Sequence, residues 1–193
     1  MSTEDAEAAA PVEVAGPAPH LLIVRAPYYR KVVDRLSEGA EHILAGSGAS
    51  FETLDIAGAF ELPQAIRIVL RGPPRHDGFI ALGCVVRGET DHYEYICREA
   101  MAGLMRVALQ FGIALGTGLL TVDRLDQAIA RAATPDNGPN RGPNKGAEAA
   151  RAALMQIAAA RRFGAAWRGS PAGEGAKGEG AEREEGAERE VGE

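Results

Sequence analysis

The chain has 193 residues, enough for one full-sized domain with tails but not comfortably for two, and its low aromatic content of 5% points to tightly packed helices rather than a bulky aromatic core. The formal charge of −6 is uneven: residues 1–19 hold four acids and no base, residues 169–193 hold eight acids and three bases, and the stretch between holds 15 acids and 18 bases. A mildly basic body suits a small anionic ligand and lacks the dense basic stripe with interleaved aromatics that marks a nucleic-acid binder.

Residues 1–19 are acidic and rich in Pro and Ala, without the basic and apolar regions of a secretory signal, and their composition predicts a disordered extension. The first strand is expected at the apolar run 21–24 and an amphipathic helix at about 31–45. A second strand fits 51–56 and a short helix 62–70. The apolar run 78–86 reads as a strand buried on both faces. A long helix follows at about 91–111, a fourth strand at 113–121 and a helix at 123–133. The Pro/Gly/Asn-rich loop 134–145 leads into a last helix at 146–167. Residues 169–193, built from Gly, Ala, Glu and Arg with a repeated GAERE, predict a second disordered tail. No apolar run reaches membrane-spanning length, and Cys84 and Cys97 are too few for a disulfide framework and lack zinc-ligand spacing, so a reducing cytoplasm is the simplest setting.

Strands alternating with helices imply a four-stranded parallel sheet with helices on both faces, a flavodoxin-like three-layer α/β sandwich occupying 20–168. In such sheets ligands lie beyond the carboxyl ends of the strands, which directs attention to the loops after Val24, Ile56 and Val86.

After the third strand the chain reads Arg87-Gly88-Glu89-Thr90-Asp91-His92, a glycine turn running into a helix. The free N–H groups there, with the Thr90 hydroxyl, suit a phosphate; equally, this is a helix start capped by Thr90 or Asp91. His92 falls in the first turn, where the helix dipole disfavours an imidazolium and leaves a ring able to accept a proton. His20, His42 and His76 belong to no comparable loop and read as surface or structural residues. Glu61, in Gly58-Ala59-Phe60-Glu61, is placed to accept hydrogen bonds from a polyol beside an apolar Phe60 wall; alternatively, Phe60 is core and Glu61 a helix-start charge. Tyr28 either stacks on a planar ring or covers the sheet edge. Arg131 and Lys145 are an anion clamp and a carbonyl-polarising ammonium, or ordinary surface charges.

Four segments in order, GAFELP at 58–63, ALGCVVRGETDHYEYI at 81–96, LDQAIARA at 125–132 and NKGAEAA at 144–150, resemble the lumazine synthase family, and the resemblance spans about residues 20–168. It implies condensation of 5-amino-6-(D-ribitylamino)uracil with 3,4-dihydroxy-2-butanone 4-phosphate to 6,7-dimethyl-8-ribityllumazine, phosphate and water, the penultimate step of riboflavin synthesis. No cofactor or metal is implied. By position, His92 becomes the acid–base residue, and Gly88, Glu89, Thr90 and Arg131 the phosphate site. Tyr28 stacks on the pyrimidine, Ala59, Phe60 and Glu61 hold the ribityl chain, Val85 and Val86 give main-chain contacts to the pyrimidine, and Lys145 lies at its far edge. Thr117 stands where some relatives place a phenylalanine that covers the ring across a subunit boundary, and Tyr29 where some place an asparagine.

The resemblance further implies sites shared between adjacent subunits of a homopentamer. The loop 134–143 looks longer than in relatives that build icosahedral shells, so a free pentamer or a decamer is expected, which light scattering would distinguish from a hollow shell. A non-catalytic flavin or lumazine carrier on the same fold is the competing reading. It has no use for a proton-transfer residue or a phosphate clamp.

Overall fold

The longest uninterrupted apolar run forms the middle of the molecule. In the computed structural model, which describes residues 11–73, 75–133 and 144–165, strand β3 spans Gly78–Val86, and its first seven residues are buried. Burial on both faces is what an interior parallel strand requires, and it explains the absence of polar alternation in this segment. Strands β1 (His20–Ala26), β2 (Ser50–Asp55) and β4 (Ala114–Val122) complete an all-parallel sheet in the order β2-β1-β3-β4.

Helix α1 (Arg30–Gly46) buries Val32, Val33, Leu36, Ala40 and Leu44, one stripe at helical spacing. It packs with α4 (Leu125–Arg131) and α5 (Lys145–Arg162) over one face of the sheet, in a cluster that includes Ile23, Leu82, Leu120 and Leu154. Helices α2 (Leu62–Val69) and α3 (His92–Phe111) cover the other face around Leu22, Val24, Phe79, Ala81 and Leu104. The three-layer α/β sandwich anticipated above is the observed architecture.

The alanine- and glycine-rich composition has a direct use on the first face. A Cβ on Gly116 would collide with the backbone of Ala149, and one on Gly146 with the backbone of Leu36. Two glycines thus let α5 lie unusually close to both β4 and α1. Ala149, Ala150 and Ala153 fill the remaining thin gap.

Most element boundaries fall within two residues of expectation, and the ends of the described chain depart further. Helix α5 ends at Arg162, with Gly164 at φ +65°, rather than continuing to 167. Within residues 11–19, Val12 and Val14 pack against the core, and the Arg161 guanidinium donates to the carbonyls of Ala15 at 2.8 Å and Pro17 at 2.6 Å. Arg161 also lies 3.5 Å from the buried Asp77 carboxylate, which accepts from the His20 backbone N–H. Residues 1–10, 134–143 and 166–193, and with them the proposed tail and long loop, lie outside the described residues. Among the described residues no helix is long and apolar enough to cross a membrane.

Candidate active site

Every loop leaving the carboxyl end of β1, β2 and β3 contributes to one cleft. Pro27–Tyr29 forms a short 3-10 turn after β1, and Ala59–Glu61 a second one after β2. Pro27 fixes the first turn, and Leu62-Pro63 starts α2 immediately after the second, where a missing N–H costs nothing. The cleft, of about 600 Å³, is lined by Tyr28, Tyr29, Gly58, Ala59, Phe60, Glu61, Cys84, Val85, Val86, His92 and Ile96.

Tyr28 is 79% exposed and Phe60 44% exposed, so neither is spent on the core. Tyr28 stands edge-on to Tyr29, with ring centroids 5.1 Å apart. Two aromatic surfaces and the valines at the end of β3 make an apolar slot for a planar ring. Glu61 brings a carboxylate to its rim, and His92, exposed at the first position of α3, brings an imidazole.

The loop 87–91 is held from outside the cleft. Arg87 Nε donates to Asp123 at 2.7 Å, Nη1 donates to Glu94 at 2.6 Å, and the guanidinium lies 4.3 Å from the centre of the Tyr93 ring. The hydrogen bonds to Asp123 and then Glu94 push this guanidinium further above its ordinary range. Arg87 is therefore committed to bracing the loop against the β4–α4 turn. Gly88, Glu89 and Thr90 are exposed, and Asp91 occupies the cap position of α3 without a side-chain bond to the helix N–H groups. Neither expected capping bond forms, which leaves this helix start able to receive an anion.

Of the residues singled out from sequence, Tyr28, Ala59, Phe60, Glu61, Val85, Val86 and His92 line the cleft together. Arg131, Lys145 and Thr117 do not. Arg131 ends α4 and donates to the Gln127 carbonyl at 3.0 Å, and Lys145 pairs with Glu148 at 2.6 Å. Thr117 is exposed on β4 and lines a different, mainly apolar groove with Met101, Leu104, Met105 and Leu109 of α3.

Sequence reasoning missed Cys84 and Ile96 as cleft residues. Both follow from simple periodicity: Cys84 is two residues before Val86 on a strand, and Ile96 is four after His92 on a helix. Burial pushes the Cys84 thiol from 9.0 up to about 11. A thiol raised in this way holds its proton longer in the fold than in the unfolded chain. Its contribution to stability is therefore complete below pH 9 and is lost as pH rises through about 11. Denaturation midpoints measured across that window at fixed protein concentration are expected to fall more steeply for the wild type than for Cys84→Ala.

Comparison with known proteins gives a consistent result. Residues 18–161 match the family model described as 6,7-dimethyl-8-ribityllumazine synthase. The chain is 42% identical over 146 residues to the 6,7-dimethyl-8-ribityllumazine synthase of Bartonella tribocorum, an alignment covering 76% of this chain and 93% of the relative. It is 41% identical over 149 residues to 6,7-dimethyl-8-ribityllumazine synthase 1 of Rhizobium meliloti, covering 75% and 94%. With the corresponding protein of Agrobacterium fabrum it shares 40% over 150 residues, covering 76% and 97%.

Proposed function

The chain belongs to the 6,7-dimethyl-8-ribityllumazine synthase family, transferases of riboflavin biosynthesis, and from that premise we propose how its residues divide the reaction. The substrates are 5-amino-6-(D-ribitylamino)uracil and 3,4-dihydroxy-2-butanone 4-phosphate, and the product is 6,7-dimethyl-8-ribityllumazine. The observation that carries the assignment is the meeting of an aromatic slot, a carboxylate and an imidazole at the carboxyl edge of the sheet, next to an uncapped helix start.

In this reading the pyrimidine lies against Tyr28 and the main chain of Val85 and Val86, and its ribityl hydroxyls donate to Glu61 beside Ala59 and Phe60. The phosphate sits over Gly88, Glu89 and Thr90. The substrate amine attacks the ketone to form an imine with loss of water, phosphate leaves by elimination, and the ribityl-bearing nitrogen closes the ring onto the resulting carbonyl with loss of a second water. His92 moves protons in these steps. The nucleophile belongs to the substrate, so the protein's main contribution is to hold two reactants in register.

The cleft of a single chain is half of this site. Arg131 and Lys145, and the groove that holds Thr117, lie outside it, while Met105, Leu109, Leu125 and Ile129 expose apolar side chains on α3 and α4. Exposed apolar surface of this kind marks an interface. We place Arg131 and Lys145 of a neighbouring subunit against the phosphate and pyrimidine, in a homopentamer or a pair of pentamers. The cytoplasm is the expected compartment.

Purified protein mixed with both substrates is expected to give lumazine fluorescence and phosphate release above the spontaneous background. His92→Ala is expected to lower kcat by about 10- to 100-fold, at or below the usual acid–base contribution. Complete loss of turnover in a folded His92→Ala protein would show that proton transfer, not positioning, dominates.

A further inference from the structure

At the amino edge of the sheet, remote from the cleft, three potential ligands converge. His20 opens β1, Glu52 lies on β2, and His76 precedes β3. The parallel register pairs His20 with Ser50 and Leu22 with Glu52, which puts His20 and Glu52 on the same face, two residues out of step. One ligand atom from each of the three residues lies within 4.8 Å of the others.

The geometry points to a divalent transition-metal site of the zinc type, with His20 Nε2, His76 Nε2 and the Glu52 carboxylate as ligands and a fourth position open to water. Nε2 of His20 is 3.3 Å from one Glu52 oxygen and Nε2 of His76 is 3.8 Å from the other. The edge of a tetrahedron with metal–nitrogen bonds of 2.0–2.1 Å is about 3.4 Å, so small side-chain shifts bring all three onto one ion.

Two features favour a ligand over a purely structural cluster. His76 is only 5% exposed, yet among the described residues its Nε2 has no hydrogen-bond partner. A buried, unpaired nitrogen is costly unless something occupies its lone pair. His20 also has the outer contact of a ligating histidine: Nδ1 is 2.8 Å from Ser50 Oγ, which can hold the proton on Nδ1 and turn the Nε2 lone pair towards Glu52. The two imidazoles stack with centroids 5.1 Å apart, which holds both rings at the site. Glu52 is exposed, which gives an ion a route in from solvent.

The full chain, stripped with a chelator, is titrated with Co2+ and followed by visible absorption. The wild type is expected to bind one Co2+ per chain more tightly than about 10 µM, with four-coordinate ligand-field bands that Zn2+ abolishes. Ser50→Ala, which removes only the outer contact, is expected to weaken binding about tenfold. Glu52→Ala, which removes a ligand at an exposed position, is expected to weaken it at least about 100-fold while keeping the wild-type circular dichroism. His42→Ala, an exposed histidine elsewhere, is expected to titrate like the wild type. His76→Ala removes a buried side chain and is not needed for the decision. Absence of stoichiometric Co2+ binding by the wild type, or equal binding by wild type and Glu52→Ala, would overturn the site.

Discussion

Arg131→Ala is expected to raise KM for the butanone phosphate by about 100-fold, with kcat changing far less. A guanidinium offers two parallel charge-assisted hydrogen bonds to a phosphate, and their combined loss is worth about 3 kcal/mol. Among the described residues, the Gln127 carbonyl is the acceptor for one of its five donors. Steady-state kinetics with the phosphate substrate varied at saturating pyrimidine separates the two parameters. A sharper test mixes subunits. If His92 and Arg131 act across an interface, co-assembling His92→Ala with Arg131→Ala subunits creates some sites with both residues intact, about a quarter of them in a random equimolar mixture. Activity would rise above that of either variant alone. No recovery in verified mixed assemblies would mean that both residues serve the same chain's site.

Asn144→Ala is expected to cost about 3 kcal/mol of stability. The Asn144 carboxamide does two jobs from a buried position. Its Oδ1 accepts from the N–H groups of Gly146 at 2.9 Å and Ala147 at 3.0 Å, capping α5. Its Nδ2 donates to the carbonyls of Arg35 at 2.9 Å and Ala133 at 3.1 Å, tying α5 to α1 and to the end of α4. Loss of the cap costs about 1–2 kcal/mol, and two half-buried carbonyls losing a donor cost about another 1–2 kcal/mol. Asn144→Ser restores the cap alone and should recover only about 1 kcal/mol. Urea denaturation at one fixed protein concentration checks both values, since subunit association shifts apparent stability. Equal stability of the Ala and Ser variants would remove the cap from the account.

Legibility from sequence followed the range of the forces involved. β3 was read to the residue because both its faces are buried and its apolar run is continuous. The α1 stripe was likewise plain from spacing. The strand-end loops could be named as the place for chemistry because parallel topology leaves their carboxyl edge open, and the cleft at Tyr28, Glu61 and His92 lies there. The contacts of residues 11–19 were not legible because their partner, the Arg161 guanidinium, sits 146 residues after Ala15 and leaves no local signature. The start of α5 at Lys145, one residue before expectation, and its early end at Arg162 depend on Asn144 and Gly164, short-range signals that a window of helix-forming alanines outweighs. The His20, Glu52 and His76 cluster was invisible for a different reason. It exists only once the β1–β2 register is known. The roles proposed for Arg131 and Lys145 rest on family resemblance, since neither lines the cleft among the described residues.

The Arg161 clasp also sets where the protein can be modified. It pins the backbone at Ala15 and Pro17 near the amino edge of the sheet, opposite the edge that carries Tyr28 and His92, so a fluorophore, affinity tag or cargo domain joined directly at residue 11 starts on the side away from the cleft. Such a fusion should keep an unobstructed substrate entrance.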